Sequence, residues 1–177
     1  MKEALRLDIE SIRARAKKEM ESGALTDGYK ANRDQVVAVL NEVLATEIVC
    51  TLRYKSHYHL AQGIKARTAA AEFLEHAQQE SEHVAMVAER SAQLGGEPNF
   101  DPEGLLTRGH GDFGTAQDLK GMLEEDLIAE RVAIESYSEI VRWLGEDDPT
   151  SRRMMETILA TEEEHADDIA DLLSELT

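Results

Sequence analysis

The sequence predicts an all-α protein: a four-helix bundle with one long crossover and an extra helix in front of it. Three observations carry this. The 177 residues include only 3 prolines and 5% aromatics, and are rich in Ala, Leu, Glu and Arg, which are good helix formers. Long segments repeat apolar residues at three- and four-residue spacing, the period of one helix face. Glycine- and proline-bearing breaks divide these segments into a short–long–short series of connections. The length suits one domain with a full core. The expected organisation is an N-terminal helix and connector over 1–32, then the bundle over 33–177.

The first segment, about Glu3 to Ser22, stops at Gly23, and "GALTDGYKANRD" leads onward. The second runs from about Arg33 to Gln62 and halts near Gly63. The third, about Ala66 to Leu94, is ended by "GGEPN". The stretch "FDPEGLLTRGHGDFG" then reads as a long crossover. The fourth helix covers about Thr115 to Leu144, with Thr115 as its expected N-cap. After the break "GEDDPTS" the fifth runs from about Ser151 to Leu176. Short links pair the second helix with the third and the fourth with the fifth, and the long link joins the pairs.

Charge narrows the function classes. With 19 basic and 36 acidic residues the formal charge is −17, which repels nucleic acid and anionic membrane at long range and concentrates cations. The basic run "RARAKK", Arg13 to Lys18, lies beside Ile12 and between Glu10 and Glu19, and reads as a solvated helix face. Strong DNA binding is therefore not expected. No run of about 18 apolar residues marks a membrane span, and the N-terminus lacks an apolar signal-peptide core. Cys50 is the one cysteine, so no intrachain disulfide forms, and a cytoplasmic protein is the simplest reading.

Each long helix has a glutamate in its apolar stripe. In the second, Leu40, Val43 and Leu44 lead to Glu47, followed by Thr51 and Tyr54. In the third, Phe73 and Ala77 lead to Glu80, then His83, Val84 and Val87. In the fourth, Leu123 and Leu127 lead to Glu130, then Ile134 and Tyr137. In the fifth, Met155, Ile158 and Leu159 lead to Glu162, then His165, Ala166 and Ile169. Glu163 and Glu164 flank that face and are expected in solvent.

An ionised carboxylate in a core costs several kcal/mol unless it is paired or bound to metal. Four together repel one another, whereas two divalent cations balance their charge and neutral imidazoles complete the shells. Oxygen and imidazole ligands suit iron or manganese. The pattern repeats: Glu47 is followed 33 residues later by Glu80 of "ESEH", and Glu130 is followed 32 residues later by Glu162 of "EEEH". One Glu from each of two helices, with Glu-x-x-His from each of the other two, is the di-metal carboxylate pattern of helical bundles.

From about Gln35 to Asp171 the chain resembles the ferritin-like superfamily, particularly bacterioferritins and the related Dps-like ferritins. The stretches carrying the resemblance are "LNEVLATEIVCTLRYKSHYHL", with Glu47, Tyr54 and His57, "HAQQESEHVAMVAERSAQLGGEPN", "MLEEDLIAERVAIESYSEIV" and "ILATEEEHADDIADLL". The resemblance implies two iron ions per subunit, with manganese as the alternative metal. Glu80 and Glu162 would bridge them, and Glu47 with His83 and Glu130 with His165 would be terminal ligands. It also implies that Asp126 orients a ligand histidine. Tyr54 would assist electron transfer, although packing with a hydrogen bond is the simpler reading.

Three departures from bacterioferritins stand out. Ser81 occupies the place of their haem-binding methionine, so no haem is expected. The chain ends 12 residues after His165, which leaves no room for the short fifth bundle helix of twenty-four-subunit cages. The N-terminal helix is extra. Together these resemble the Dps-like branch, whose cages have twelve subunits. Some of that branch carries a cysteine pair near the centre. Cys50 alone cannot form one and is expected to be a buried small hydrophobe. His76, seven residues before His83 and near the same face, reads as a packing or supporting residue ahead of an entry ligand, and His110 as solvent-exposed.

The leading expectation is a ferroxidase and iron-storage cage in which Fe2+ is oxidised to Fe3+ by H2O2 or O2, H2O2 preferred, protecting against oxidative stress. A manganese catalase-like or other di-metal oxidoreductase is the alternative. A DNA-coating protein is the third.

Overall fold

In the computed structural model, which describes residues 4–18 and 20–176, those residues form helices and loops without strands. The helices are α1 (Ile9–Ala16), α2 (Arg33–Leu60), α3 (Arg67–Gln93), α4 (Leu105–Arg108), α5 (Leu119–Leu144) and α6 (Pro149–Glu175). Helices α2 and α3 pack along each other, as do α5 and α6, while α2 meets α5 and α3 meets α6. This closes the four-helix bundle that the sequence predicts, with the long crossover between α3 and α5.

The boundaries differ from expectation where local chemistry intervenes. Helix α1 is much shorter than the expected first segment. None of its residues is buried, so only local propensity and the Asp8 N-cap support it, and a short isolated helix is marginal. Its expected start, Glu3, lies outside the described residues. Helix α5 starts at Leu119, not at Thr115. The Thr115 and Ala116 backbone amides both donate to the Glu125 carboxylate, which keeps that stretch out of the helix. Asp118 is the N-cap instead, accepting from Gly121 N at 3.0 Å. Helix α6 starts two residues early because Pro149 occupies its first turn, where a missing N–H costs nothing.

Two apolar clusters fill the bundle. One gathers Leu40, Leu44, Val87, Leu94, Met155 and Ile158. The other holds Tyr54, Phe73, Ala77, Met122, Leu123 and Ile169. On every long helix the glutamate of the stripe falls between the two. By length and apolar composition alone α2 is long enough to cross a membrane. More than half of that stretch is buried within the bundle, and it carries Glu47 and Arg53 inside.

The crossover is fastened to α2. The Asn41 amide donates to Glu97 O and accepts from Asn99 N. Farther on, Gly109 presses against α2 so closely that a Cβ there would lie 3.0 Å from Thr46 N. His110 N donates to Thr46 Oγ1 at 2.9 Å.

Asp148 ties three parts of the fold together. It caps α6 by accepting from Ser151 N at 2.9 Å, pairs with Arg90 of α3 at 2.8 Å, and accepts from Tyr29 Oη at 2.9 Å. Tyr29 and Leu25 in turn seat the connector on the first apolar cluster. Asp148→Ala is expected to cost about 3 kcal/mol of unfolding free energy, measured from denaturant midpoints. Burial raises the Asp148 carboxyl, but the Ser151 and Tyr29 bonds and the Arg90 charge hold it below its usual 3.8. Its stabilisation is complete above that value and is lost as pH falls through the lower folded-state value. The penalty for Asp148→Ala therefore shrinks in acid.

Candidate metal centre

Six ionisable side chains converge between the apolar clusters. Glu47 comes from α2, Glu80 and His83 from α3, Glu130 from α5, and Glu162 and His165 from α6; none is more than 5% exposed. The three-residue Glu–His spacing sets both members of each pair on one side of their helix. Glu47, Glu80, His83 and Glu162 offer ligand atoms all within 4.8 Å of one another, and so do Glu80, Glu130, Glu162 and His165. Glu80 and Glu162 belong to both quartets. Glu163 and Glu164 are exposed, as expected.

The shared carboxylates turn one oxygen to each histidine. His83 Nδ1 is 3.2 Å from Glu162 Oε1, 3.6 Å from Glu80 Oε2 and 3.1 Å from Glu47 Oε2. His165 Nδ1 is 3.3 Å from Glu162 Oε2, 3.4 Å from Glu80 Oε1 and 3.9 Å from Glu130 Oε2. His165 Nε2 lies 2.7 Å from Gln79 Oε1. That carbonyl accepts from Nε2, which leaves Nδ1 to face the carboxylates. Both oxygens of Glu80 and of Glu162, with Glu130 Oε2 and His165 Nδ1, are buried and have no hydrogen-bond partner. Buried polar atoms are rarely left so. A cation in each quartet would satisfy all six.

Electrostatics point the same way. Burial, then the charge of Glu80, pushes Glu47 up to about 8. Burial likewise raises Glu130 well above the carboxylate range. Burial raises Glu80 and Glu162 too, yet the imidazoles of His165 and His83 beside them, at 3.2–3.6 Å, lower both from their usual 4.5. Against burial, the surrounding carboxylates lift His83 to about 12 and His165 to about 9. Protons thus offset the negative charge here, and divalent cations can take over that role.

The outer oxygens are held by phenols. Tyr54 Oη donates to Glu130 Oε1 at 2.6 Å, and Tyr137 Oη donates to Glu47 Oε1. Tyr137 was legible only as part of an apolar stripe. The available signal was that both tyrosines sit seven residues after a stripe glutamate. Arg53, fully buried, is the other residue missed. Its Nε donates to Asp126 Oδ1 at 2.7 Å, Nη1 donates to Asp112 O at 2.9 Å, and Nη2 stands 3.7 Å from Glu130 Oε1. Asp126 is corrected accordingly. Its second oxygen lies 2.8 Å from His57 Nδ1, so it holds Arg53 and His57 in place of a ligand histidine.

Cys50 is buried, as expected, and its Sγ contacts Arg53 Nη2 at 3.5 Å. His76 is buried with its ring stacked on His165 at 3.9 Å. Expected in solvent, His110 is instead half-buried, drawn in by the bond from its backbone to Thr46.

Arg53→Leu leaves Asp126 buried without its cation and is expected to cost roughly 3–5 kcal/mol of stability. Arg53→Leu with Asp126→Leu removes both charges and recovers much of the loss. Denaturant unfolding of the two variants beside the parent checks both outcomes.

A family model of the ferritin-like domain matches residues 37–177. The chain is 29% identical to the bacterioferritin of Desulfovibrio desulfuricans over 132 residues, which cover 74% of this chain and 70% of that protein. It is also 29% identical to the bacterioferritin of Mycobacterium bovis over 133 residues, 75% and 79% of the respective chains. Among solved structures, the dodecameric thioferritin of Bacteroides fragilis, a bacterioferritin-related protein, superposes with a TM-score of 0.79 at 30% identity; the match covers 83% of this chain and 89% of that one. Dps from Thermosynechococcus elongatus superposes with a TM-score of 0.75 at 24% identity over 79% and 90% of the two chains, a likeness of fold.

Proposed function

This chain belongs to the ferritin-like family, and from that premise we propose that it is a ferroxidase and iron-storage protein, oxidising Fe2+ at the centre between α2, α3, α5 and α6. The observation that carries this is the set of six buried, unpartnered donor atoms shared between two overlapping quartets. Glu80 and Glu162 bridge, Glu47 with His83 holds one Fe2+, and Glu130 with His165 holds the other. Each Fe2+ gives up one electron; H2O2 accepts both electrons and two protons and leaves as two waters.

The chain's own groups set the geometry for this. Tyr54 and Tyr137 tie down the outer oxygens of Glu130 and Glu47, so the inner oxygens face the substrate. Gln79 fixes the ring of His165. The apolar clusters on either side exclude bulk water, which strengthens every charge interaction between them. The absence of a methionine at Ser81 speaks for a site without haem. The likeness to a dodecameric relative supports a homo-oligomeric cage of twelve subunits, in which the bundle over 33–177 carries the chemistry. A cytoplasmic location and a role against peroxide stress complete the reading.

Metal-free protein given two equivalents of Fe2+ without oxygen, then one of H2O2, tests it by the rate of Fe3+ formation. Oxidation by H2O2 should outpace that by O2, keep Fe3+ in solution, and fall at least about tenfold in Glu162→Ala. Oxidation no faster than in buffer would sink the proposal. Manganese-dependent peroxide turnover would then point to a catalase-like enzyme.

A further inference from the structure

Helix α3 carries a second inward imidazole, His76, one turn before Glu80 and only 1% exposed. Its Nδ1 is buried with no hydrogen-bond partner. Its Nε2 points at two carboxylates, 3.6 Å from Asp168 Oδ2 on α6 and 3.8 Å from Glu72 Oε2 on α3. Both distances exceed hydrogen-bond reach. A buried imidazole edge aimed at two carboxylates, yet bonded to neither, calls for an explanation.

Packing does not supply one. The two-fold pattern that maps Glu80 onto Glu162 also maps Glu72 onto Met154, His76 onto Ile158, and Asp168 onto Met86. All three counterparts belong to an apolar cluster. The same architecture is thus satisfied by apolar residues at one end of the centre, while at the other end it carries an imidazole facing two acids.

We propose that Glu72, His76 and Asp168 form a third divalent-cation site, separate from the two quartets. Their ligand atoms lie within 4.8 Å of one another. Two donors on a shared tetrahedral cation, each about 2.1 Å from it, lie about 3.4 Å apart. Small rotations of the Glu72 and Asp168 side chains close the remaining gap. Those side chains are 32% and 48% exposed, so the cation keeps water in its open positions and exchanges with solvent. Two carboxylate oxygens with one imidazole nitrogen suit Fe2+, Mn2+ or Zn2+. The ring of His76 lies against that of His165, which puts this site one imidazole away from the centre.

Crystals of metal-free protein equilibrated with Zn2+ and measured at the zinc absorption edge test the assignment. An anomalous peak among Glu72, His76 and Asp168 is expected in the parent. It should vanish in Glu72→Gln with Asp168→Asn, half-exposed changes that leave the core intact, while peaks beside Glu80 and Glu162 persist. Calorimetric zinc stoichiometry should fall by one per subunit in that variant. Peaks at the quartets with none at His76 would overturn this site and leave the ferroxidase centre standing. A peak at His76 with none at the quartets would do the reverse.

Discussion

Four carboxylates in a dry core repel one another, and the rest of the structure is arranged around that fact. Each isolated ion there would cost several kcal/mol. The fold brings one glutamate from each long helix, so no single helix loses more than one turn of apolar contact. Apolar clusters seal the layer from both sides. Histidines enter only from α3 and α6, where their Nδ1 atoms meet both shared carboxylates. Charge balance then depends on what occupies the quartets, protons or cations.

The two halves are alike in ligands and unlike in support. Tyr54 and Tyr137 make equivalent bonds to Glu130 and Glu47. Arg53 and Asp126 have no such equivalents, since the matching positions are Ser136 and Val43. Only the Glu130 half therefore has a buried guanidinium nearby, 3.7 Å from the outer carboxylate oxygen. The same Arg53 reaches Asp112 in the crossover, so the longest loop of the fold is anchored to the glutamate layer. Arg53, itself paired with Asp126, gives the Glu130 half a support that the Glu47 half lacks.

Much of this was legible in the sequence because helical period and ligand spacing are local properties. Glu80 with His83, and Glu162 with His165, declare themselves by a three-residue step within an apolar stripe. Their relation to Glu47 and Glu130 follows from near-equal gaps. What local pattern does not carry is a partner on another element. Asp126 read as support for a ligand histidine, yet Arg53 and His57 on α2 claim it. Arg53 sits two residues from exposed Lys55, and nothing in its local pattern marks it as buried. Thr115 looked like a cap until Glu125 took its amide. His110 lies in a glycine-rich loop that α2 draws inward. Helix α1 shows the converse: its amphipathic pattern promised a longer helix than a segment with no buried contact supports.

In the proposed centre, cations replace protons as the counter-charge of the buried carboxylates. Thermal unfolding of metal-free protein, with and without two equivalents of redox-silent Zn2+, tests it most directly when Glu80→Gln with Glu162→Gln is run alongside. The midpoint should rise by several degrees in the parent, by linkage of binding to folding, and the variant should gain little. Equal gains in parent and variant, or none in either, would contradict it.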